Sequence, residues 1–332
     1  MGKANARMTK LIIQIPCLNE EQTLPATIAA LPRHIDGVGE IELQIIDDGS
    51  TDGTTKIARS LGIQHVLSFK KNRGLAEAFK AGVDNAVRLG ADILVNTDAD
   101  NQYSGADIAD LVNPIVSGEA DIVIGCRPID NHPEFPWIKR KLQKYGSALI
   151  NRLAGTEIPD TTTGFRAYSR DALLHLNIFS DFSYTLETII QYGYQNAKIM
   201  TIPVHVNPKT RESRLFRNIP HYLWNSLRTV IKIFILYRSG AFFTVLSAGS
   251  FLLFVALIIR YAYGIFVEGV PTSQFWPSII MAGVLFGLSV QFYLTGIICS
   301  LISSNRKLSE EVLYRLRKVD LTSAPSADPK RT

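Results

Sequence analysis

Nineteen consecutive residues, Ala241–Ile259, carry no charge, and a second run, Gly269–Asn305, also lacks Asp, Glu, Lys and Arg. At 1.5 Å per residue, each is long enough as a helix to cross a hydrocarbon layer of about 30 Å. The alternative is a helix buried in a soluble core; two such runs in tandem behind an ordinary domain favour the membrane. Spans are expected over 240–264 and 275–303, with the apolar body of the second from about Trp276 to Ile302. The link Tyr261–Gln274 has Glu268 as its only charge, with Arg260 at the edge of the first span, so the two spans form a transmembrane hairpin. The opposite flanks carry Arg228, Lys232 and Arg238, then Arg306, Lys307, Arg315, Arg317 and Lys318. By the positive-inside rule both termini and the whole N-terminal domain are cytoplasmic, in a multi-pass protein of the inner membrane.

The segment 216–239 is expected to lie on the membrane. Arg217, His221, Arg228 and Lys232 fall within a sector of about 60° of a helix, and Phe216, Leu223, Trp224, Leu227, Ile231 and Phe234 remain to enter lipid. That pattern fits an interfacial amphipathic helix drawn to anionic lipid, the alternative being a charged face on an ordinary surface helix. Residues 304–332 form a cytoplasmic tail, and TSAPSADPKRT after Asp320 has the composition of a disordered end. Residues 1–10 are polar, show no signal peptide and are read as a disordered N-terminus, with Met8 an alternative start.

The net charge of +5 is concentrated in Arg211–Arg238 and Arg306–Lys318. The basic excess therefore points to membrane lipids, and no nucleic-acid partner is expected. Cys17, Cys126 and Cys299 are far apart and form no Cys-x-x-Cys, which argues against zinc, a disulfide framework and thioredoxin-like chemistry. It fits a reducing cytosolic compartment.

Between Leu11 and about Val206 short apolar runs alternate with helical patterns. Strands are expected at Leu11–Ile15, Ile41–Ile46, His65–Phe69, Ile93–Asn96, Ile122–Gly125 and Met200–Val204. Leu75–Leu89 reads as a helix with Leu75, Phe79, Val83 and Ala86 on one face. The alternation predicts an α/β domain over 11–215 with a mostly parallel sheet covered by helices. In such a sheet ligands bind beyond the carboxyl ends of the strands.

The stretch ILVNTDADNQY, Ile93–Tyr103, ends its apolar run in Asp98 and Asp100. In extended backbone residues i and i+2 point the same way, so both carboxylates and Gln102 are expected to face one ligand. Hard divalent cations such as Mg²⁺ take oxygen ligands, often one or two carboxylates plus substrate phosphates. A metal–diphosphate site is the sharper reading, a solvated acidic loop the plainer one. At the first strand end, Pro16-Cys17-Leu18-Asn19-Glu20-Glu21 exposes amides over which a nucleotide could lie; alone it is a strand–helix connection. At the second, Asp47 or Asp48 could accept hydrogen bonds from a base or ribose, Gly49 and Gly53 permit tight geometry, and Ser50 and Asp52 read as helix caps. Arg73 could reach a diphosphate or pack a base, although it also reads as a surface arginine. Arg127 ends another strand at the same edge, and Asp160 in DTTTGFR is a third acidic candidate beside Gly164. Arg211 and Arg214 could grip a phosphate presented from the bilayer or simply attract lipid headgroups.

Taken in order, PCLNEE, IDDGSTDGT, NRGLAEA, NTDADNQ, GCR, DTTTGFRAY and RESRL make the chain resemble the family 2 inverting glycosyltransferases from about Leu11 to Leu215. Within that family it looks most like the polyprenyl-phosphate glycosyltransferases, including dolichyl-phosphate mannose synthase and the bactoprenol glucosyltransferases with two C-terminal membrane helices. The resemblance implies a GT-A fold, a Rossmann-like mixed, mostly parallel sheet. It implies that Pro16, Asn19, Glu20, Asp47, Asp48 and Arg73 hold the donor, that Asp98 contacts donor ribose or sugar, and that Asp100 with Gln102 ligates Mg²⁺ or Mn²⁺. Arg127, Arg211, Ser213 and Arg214 would meet phosphates of donor or acceptor, and Asp160 falls near the reaction centre. Relatives often show Arg-x-Gly-x-Ser-Lys before the membrane; here Ser213 is followed by Arg214 and no Gly lies between Arg211 and Ser213. Processive relatives carry Gln-x-x-Arg-Trp, and Trp137, Trp224 and Trp276 are not in that setting, which argues for single transfer. The implied reaction moves one sugar, glucose from UDP-glucose as preferred donor, to undecaprenyl phosphate. The rivals are a family 2 enzyme acting on a saccharide or protein hydroxyl and a non-catalytic membrane-anchored binding protein. A Rossmann dehydrogenase is disfavoured because no Gly-x-Gly-x-x-Gly follows the first strand. The number of copies is left open, a homo-oligomer included.

Overall fold

The computed structural model describes residues 9–128, 137–178, 184–208 and 219–323. Seven strands form one sheet: β1 (Lys10–Cys17), β2 (Glu40–Asp47), β3 (His65–Ser68), β4 (Ile93–Asn96), β5 (Ile122–Cys126), β6 (Arg166–Ser169) and β7 (Ile199–Pro203). Their order is β3-β2-β1-β4-β6-β5-β7. All neighbours run parallel except β6, which is antiparallel to both β4 and β5. The six expected strands are present within a few residues. The seventh, β6, was not expected.

Among the described residues the helices of the sheet domain are α1 (Leu24–Ala30), α2 (Thr54–Ser60), α3 (Leu75–Arg88), α4 (Ile108–Val116), α5 (Trp137–Ala154), α6 (Arg170–His175) and α7 (Tyr184–Tyr194). The central strand β1 buries Leu11, Ile12, Ile13 and Ile15, as a strand covered on both faces must. On one face Leu24, Ile28, Leu111, Val112 and Phe165 form the core with Val95, Val123 and Ala167. On the other, Phe79 of α3 stacks on Tyr184 of α7 at 3.9 Å. Phe79, Val83 and Ala86 are buried as expected, but Leu75 is 39% exposed. It is the first residue of the helix, next to Gly74.

The chain divides into two compact units, one made of Met1–Val230 with Leu313–Thr332, the other of Ile231–Val312. Helices α8 (Ile219–Phe266) and α9 (Trp276–Ser323) are each continuous over 48 residues. No break separates the expected juxtamembrane helix from the first span, and helix runs through 304–323, where a tail was expected. The side chains of the amphipathic face, Arg228 apart, lie outside the described residues, as does 324–332. Two stretches, Gly240–Phe266 within α8 and Thr272–Val319, which begins just before α9, are long and apolar enough to cross a membrane.

In the second unit α8 and α9 pair antiparallel. Ser247 and Ser289 each donate to the other's main-chain carbonyl, at 2.9 and 3.1 Å. Phe254 packs on Phe286, and Tyr261 meets Phe275 edge-on. Small residues let the backbones approach: a Cβ on Gly296 would come within 3.2 Å of Phe243, and one on Gly264 would strike the Phe275 ring. Such contacts are the usual means of helix association where lipid removes the hydrophobic drive.

In the first unit the end of α9 docks on the sheet domain. Arg317 donates to the Leu174 and Leu176 carbonyls at the end of α6, at 3.1 and 2.8 Å. Tyr314 stacks on His175 at 3.9 Å and donates to Asp171 at 3.0 Å. These bonds satisfy carbonyls that a helix end leaves unpaired.

Candidate active site

The loops after β1 and β2 are laced together. Asn19, in the left-handed region at φ 53°, donates its amide to Ser50 Oγ at 2.8 Å and accepts the Thr51 amide on Oδ1 at 2.8 Å. Glu20 is buried, its amide donating to Thr54 Oγ1 and its carboxylate accepting from Thr23 at 2.7 Å. Pro16 is the penultimate residue of β1, opposite Ile46. Asp47 accepts from the Ser50 amide and the Thr55 hydroxyl, each at 3.0 Å. Asp48 accepts from the amides of Arg73 and Gly74, at 2.7 and 3.0 Å. The adjacent acids therefore build the loop, a role that the strand-end position alone did not indicate. Gly49 sits at φ 76°, where a Cβ would strike the main chain of Lys71 and Asn72. Asp52 accepts from the Thr54 amide, but the residue that caps α2 is Gly53, and Ser50 bonds Asn19 instead, so neither expected cap residue occupies the cap position. The Arg73 guanidinium stacks over Phe69 at 4.9 Å.

At the end of β4 the extended backbone stops at Asn96. Residues 99 and 100 turn and Asn101 is left-handed at φ 55°. The reason is local: Asp100 Oδ1 accepts the amide of Gln102 at 3.1 Å, and Asn tolerates positive φ. The expected extended alternation of Asp98, Asp100 and Gln102 is thus replaced by a tight turn. The chain leaving β7 clamps it from outside. The Asn207 amide donates to Gln102 O at 2.8 Å and Asn207 Nδ2 to Asn101 O at 2.9 Å. His205 is bonded to Asp107 through its amide and Nδ1.

Beside this turn stands Gly164. A Cβ there would fall 2.7 Å from the Tyr184 hydroxyl and 3.5 Å from Asp98 Oδ1, so only glycine lets the DTTTG loop approach so closely. Tyr103, buried, bonds Thr163 Oγ1 at 3.1 Å, and burial pushes its phenol up to about 12. Arg127 at the end of β5 forms a bidentate pair with Asp160, Nε to Oδ2 at 2.7 Å and Nη2 to Oδ1 at 3.2 Å. Gln143 of α5 donates to Asp160 Oδ1 and to Thr162 Oγ1, each at 2.9 Å. The Thr162 amide and hydroxyl also reach Asp160 Oδ1. Asp160 is fully buried and Arg127 is 14% exposed. Burial works to raise the Asp160 pKa, but the Arg127 charge and the hydrogen bonds override it and hold the carboxyl below its usual range. A carboxylate so held stays ionised at neutral pH.

Asp98, Asp100, Arg127, Asp160 and Gly164 thus gather where β4, β5 and β6 meet. The Asn19, Asp47 and Asp48 loops line the ends of the neighbouring strands β1 and β2. Arg211, Ser213 and Arg214 lie outside the described residues. Sequence reasoning missed Tyr103, Gln143, Tyr184 and Asn207. Burial raises the Cys17 thiol well above its ordinary pKa and the Cys126 thiol to about 11, so neither is an activated nucleophile.

The donor set suits a hard divalent cation. Asp98 and Asp100 are half-buried carboxylates one residue apart, and no group of three His, Cys, Asp or Glu occurs among the described residues. Two carboxylates fit such a cation as part of a shell that substrate phosphates and water would complete.

Residues 12–176 match the family model described as Glycosyl transferase family 2. The undecaprenyl-phosphate mannosyltransferase of Micrococcus luteus is 31% identical over 176 residues, covering 51% of this chain and 70% of that one. The chain belongs to glycosyl transferase family 2. This glycosyltransferase is also 30% identical to the polyprenol monophosphomannose synthase of Mycolicibacterium smegmatis, over 51% of its own length and 65%, just under two thirds, of that relative. Glucosyl-3-phosphoglycerate synthase from Mycobacterium tuberculosis, crystallised with Mn²⁺, UDP and glucosyl-3-phosphoglycerate, superposes with a TM-score of 0.53. At 22% identity it covers 69% of this chain and 80% of its own. The shared architecture is the GT-A fold.

Proposed function

We propose that this glycosyltransferase moves a single sugar from a nucleotide sugar to polyprenyl phosphate, undecaprenyl phosphate in the first instance, at the cytoplasmic face of the inner membrane and with inversion. The observation that carries the reading is the meeting of the Asp98–Asp100 turn with the Arg127–Asp160 pair across Gly164. The names of the two relatives and the two apolar helices support a lipid acceptor.

Asp98 and Asp100, with Gln102 beside them, would hold Mg²⁺ or Mn²⁺, which would supply positive charge against that growing on the departing nucleotide. Pro16, Asn19, Glu20, Asp47 and Asp48 shape the nucleoside pocket, and Arg73 closes its rim. Asp160, every oxygen of which is already engaged, orients Arg127 toward phosphate rather than accepting a proton. A lipid phosphate is anionic near neutral pH, so the attacking oxygen needs no strong base. Arg211, Ser213 and Arg214 steer that phosphate. In-line attack from the far face inverts the anomeric centre. The hairpin 240–303 holds the domain at the bilayer, and binding at a surface removes most of the search for an acceptor.

Glucose from UDP-glucose is the donor that the family resemblance favours. Mannose is the second reading, because both relatives are named for mannose transfer. The test is purified full-length protein in detergent with undecaprenyl phosphate, Mn²⁺ and a panel of UDP- and GDP-sugars. A lipid-phosphate-linked sugar is expected; transfer only to saccharide or protein hydroxyls would refute the lipid acceptor.

A further inference from the structure

Four buried polar residues lie in one row across the sheet. Gln44 on β2 is in register with Gln14 on β1, Gln14 with Asn96 on β4, and Asn96 with Arg166 on β6. None is more than 1% exposed. The amides bond in series, Gln44 Nε2 to Gln14 Oε1 at 3.2 Å and Gln14 Nε2 to Asn96 Oδ1 at 3.1 Å. Helix α3 seals them: Gln44 donates to Gly82 O at 2.8 Å, Asn85 donates to Gln44 at 2.6 Å, and a Cβ on Gly82 would strike Gln14.

At its other end the row reaches the reacting loops. Asn96 Nδ2 donates to Gly164 O at 2.9 Å and to the Tyr184 hydroxyl at 3.0 Å. Arg166 donates to Thr161 O at 3.0 Å and Thr163 O at 2.9 Å, and also to Thr185 O and Thr188 Oγ1 on α7. Asn96 stands two residues before Asp98, and the carbonyls held by Arg166 directly follow Asp160. Burying so many polar groups is unfavourable unless each is bonded. The row sits at β4–β6, where the parallel sheet meets its antiparallel strand. A one-residue slip there would shift Asp98 by about 3.3 Å against Gly164, and the bonds from Asn96 and Arg166 fit only the present register.

We propose that Asn96 and Arg166 are positioning residues for the transfer reaction: they pin the Asp98 turn and the Asp160–Gly164 loop at a fixed separation, Asn96 through Gly164 and Arg166 through Thr161 and Thr163. This rests on the transferase reading of the Asp98 turn. The test compares full-length Asn96→Leu, Arg166→Met, Arg166→Lys and Tyr184→Phe with Gln44→Leu, equally buried in the same row but two strands from β4. Melting temperature, kcat, donor KM and the electron paramagnetic resonance spectrum of Mn²⁺ bound with UDP are read for each. Asn96→Leu and Arg166→Met are expected to lower kcat about tenfold or more, with donor KM little changed and the Mn²⁺ spectrum altered. Arg166→Lys regains part of kcat. Gln44→Leu lowers the melting temperature comparably and keeps kcat. If kcat follows melting temperature alike in all variants, the row is structural and the proposal falls. Should Asn96→Leu and Arg166→Met fail to fold, Tyr184→Phe decides: it keeps the ring stacked on Phe79 but removes the hydroxyl that Asn96 bonds, and an unchanged kcat overturns the proposal. A wild-type protein inert with every nucleotide sugar overturns the transferase reading and this inference with it; an active wild type with unaffected variants overturns this inference alone.

Discussion

The β2 and β4 strand ends each present a pair of acids, and the pairs are used differently. Asp47 and Asp48 are buried and bonded to amides and a hydroxyl of their own and the neighbouring loop. Asp98 and Asp100 are half-buried on a turn, across Gly164 from a third carboxylate neutralised by Arg127. Similar residue types at equivalent positions thus make a scaffold in one place and a charged centre in the other. The difference is set by what each chain does next. After β2 the chain folds back to offer Asp47 donors from Ser50 and Thr55, while the loop after β3 offers Asp48 the amides of Arg73 and Gly74. After β4 Asp100 accepts the amide of Gln102, and the turn is braced from outside by Asn207.

The largest expected effect separates the pairs directly. Asp100→Ala should lower sugar transfer by about a thousandfold, about 4 kcal/mol of transition-state stabilisation, with the melting temperature little changed; steady-state kinetics beside thermal melts check it. Equal losses of activity and stability would erase the distinction. Next, Asp160→Asn leaves Arg127 without its counter-charge and should destabilise the domain by about 3–5 kcal/mol, measured by denaturant unfolding. The pH dependence sharpens this. The folded pKa of Asp160 is depressed, so its stabilisation is fully present above the usual carboxylate pKa of about 3.9 and drains away as pH falls through the depressed folded value. The wild-type advantage over Asp160→Asn should shrink in acid melts. Third, Asp48→Ala frees two main-chain amides and should cost about 1–3 kcal/mol, with stability and donor KM worsening together. An unaltered melting temperature would place Asp48 in the ligand-facing class after all. The smallest effect is at the clamp: Asp107 raises the pKa of exposed His205. That contribution is complete below about 6.5 and lost as pH rises through the folded value, so the melting temperatures of wild type and His205→Ala should converge above it.

Much of this was legible in the sequence. Six mostly apolar runs located six strands, because strands inside a sheet covered on both faces are largely apolar. Strand β6 was hidden because it reads Arg166-Ala167-Tyr168-Ser169, and no local pattern shows that Arg166 is buried with its donors matched by loop carbonyls. The acidic candidates were visible as types and positions. Which of them face a ligand was not, since the bonds of Asp48 to Arg73 and Gly74 and of Asp160 to Arg127 join residues 25, 26 and 33 positions apart. Gln143, Tyr184 and Asn207 carry no motif at all; only the folded chain brings them to the site. The continuous helix through 304–323 went unread because its charges resemble those of a tail, although Arg306 and Glu310 are spaced to pair across one helical turn.

The bonds from Tyr314 and Arg317 to α6 bear on biosynthesis. A ribosome releases the N-terminal sheet first, and domains fold in order of emergence. The last piece of the catalytic unit, Leu313 onward, follows only after both apolar helices have been translated. Until then the carbonyls of Leu174 and Leu176 must remain hydrated, so the enzyme is finished only after its two apolar helices have been made.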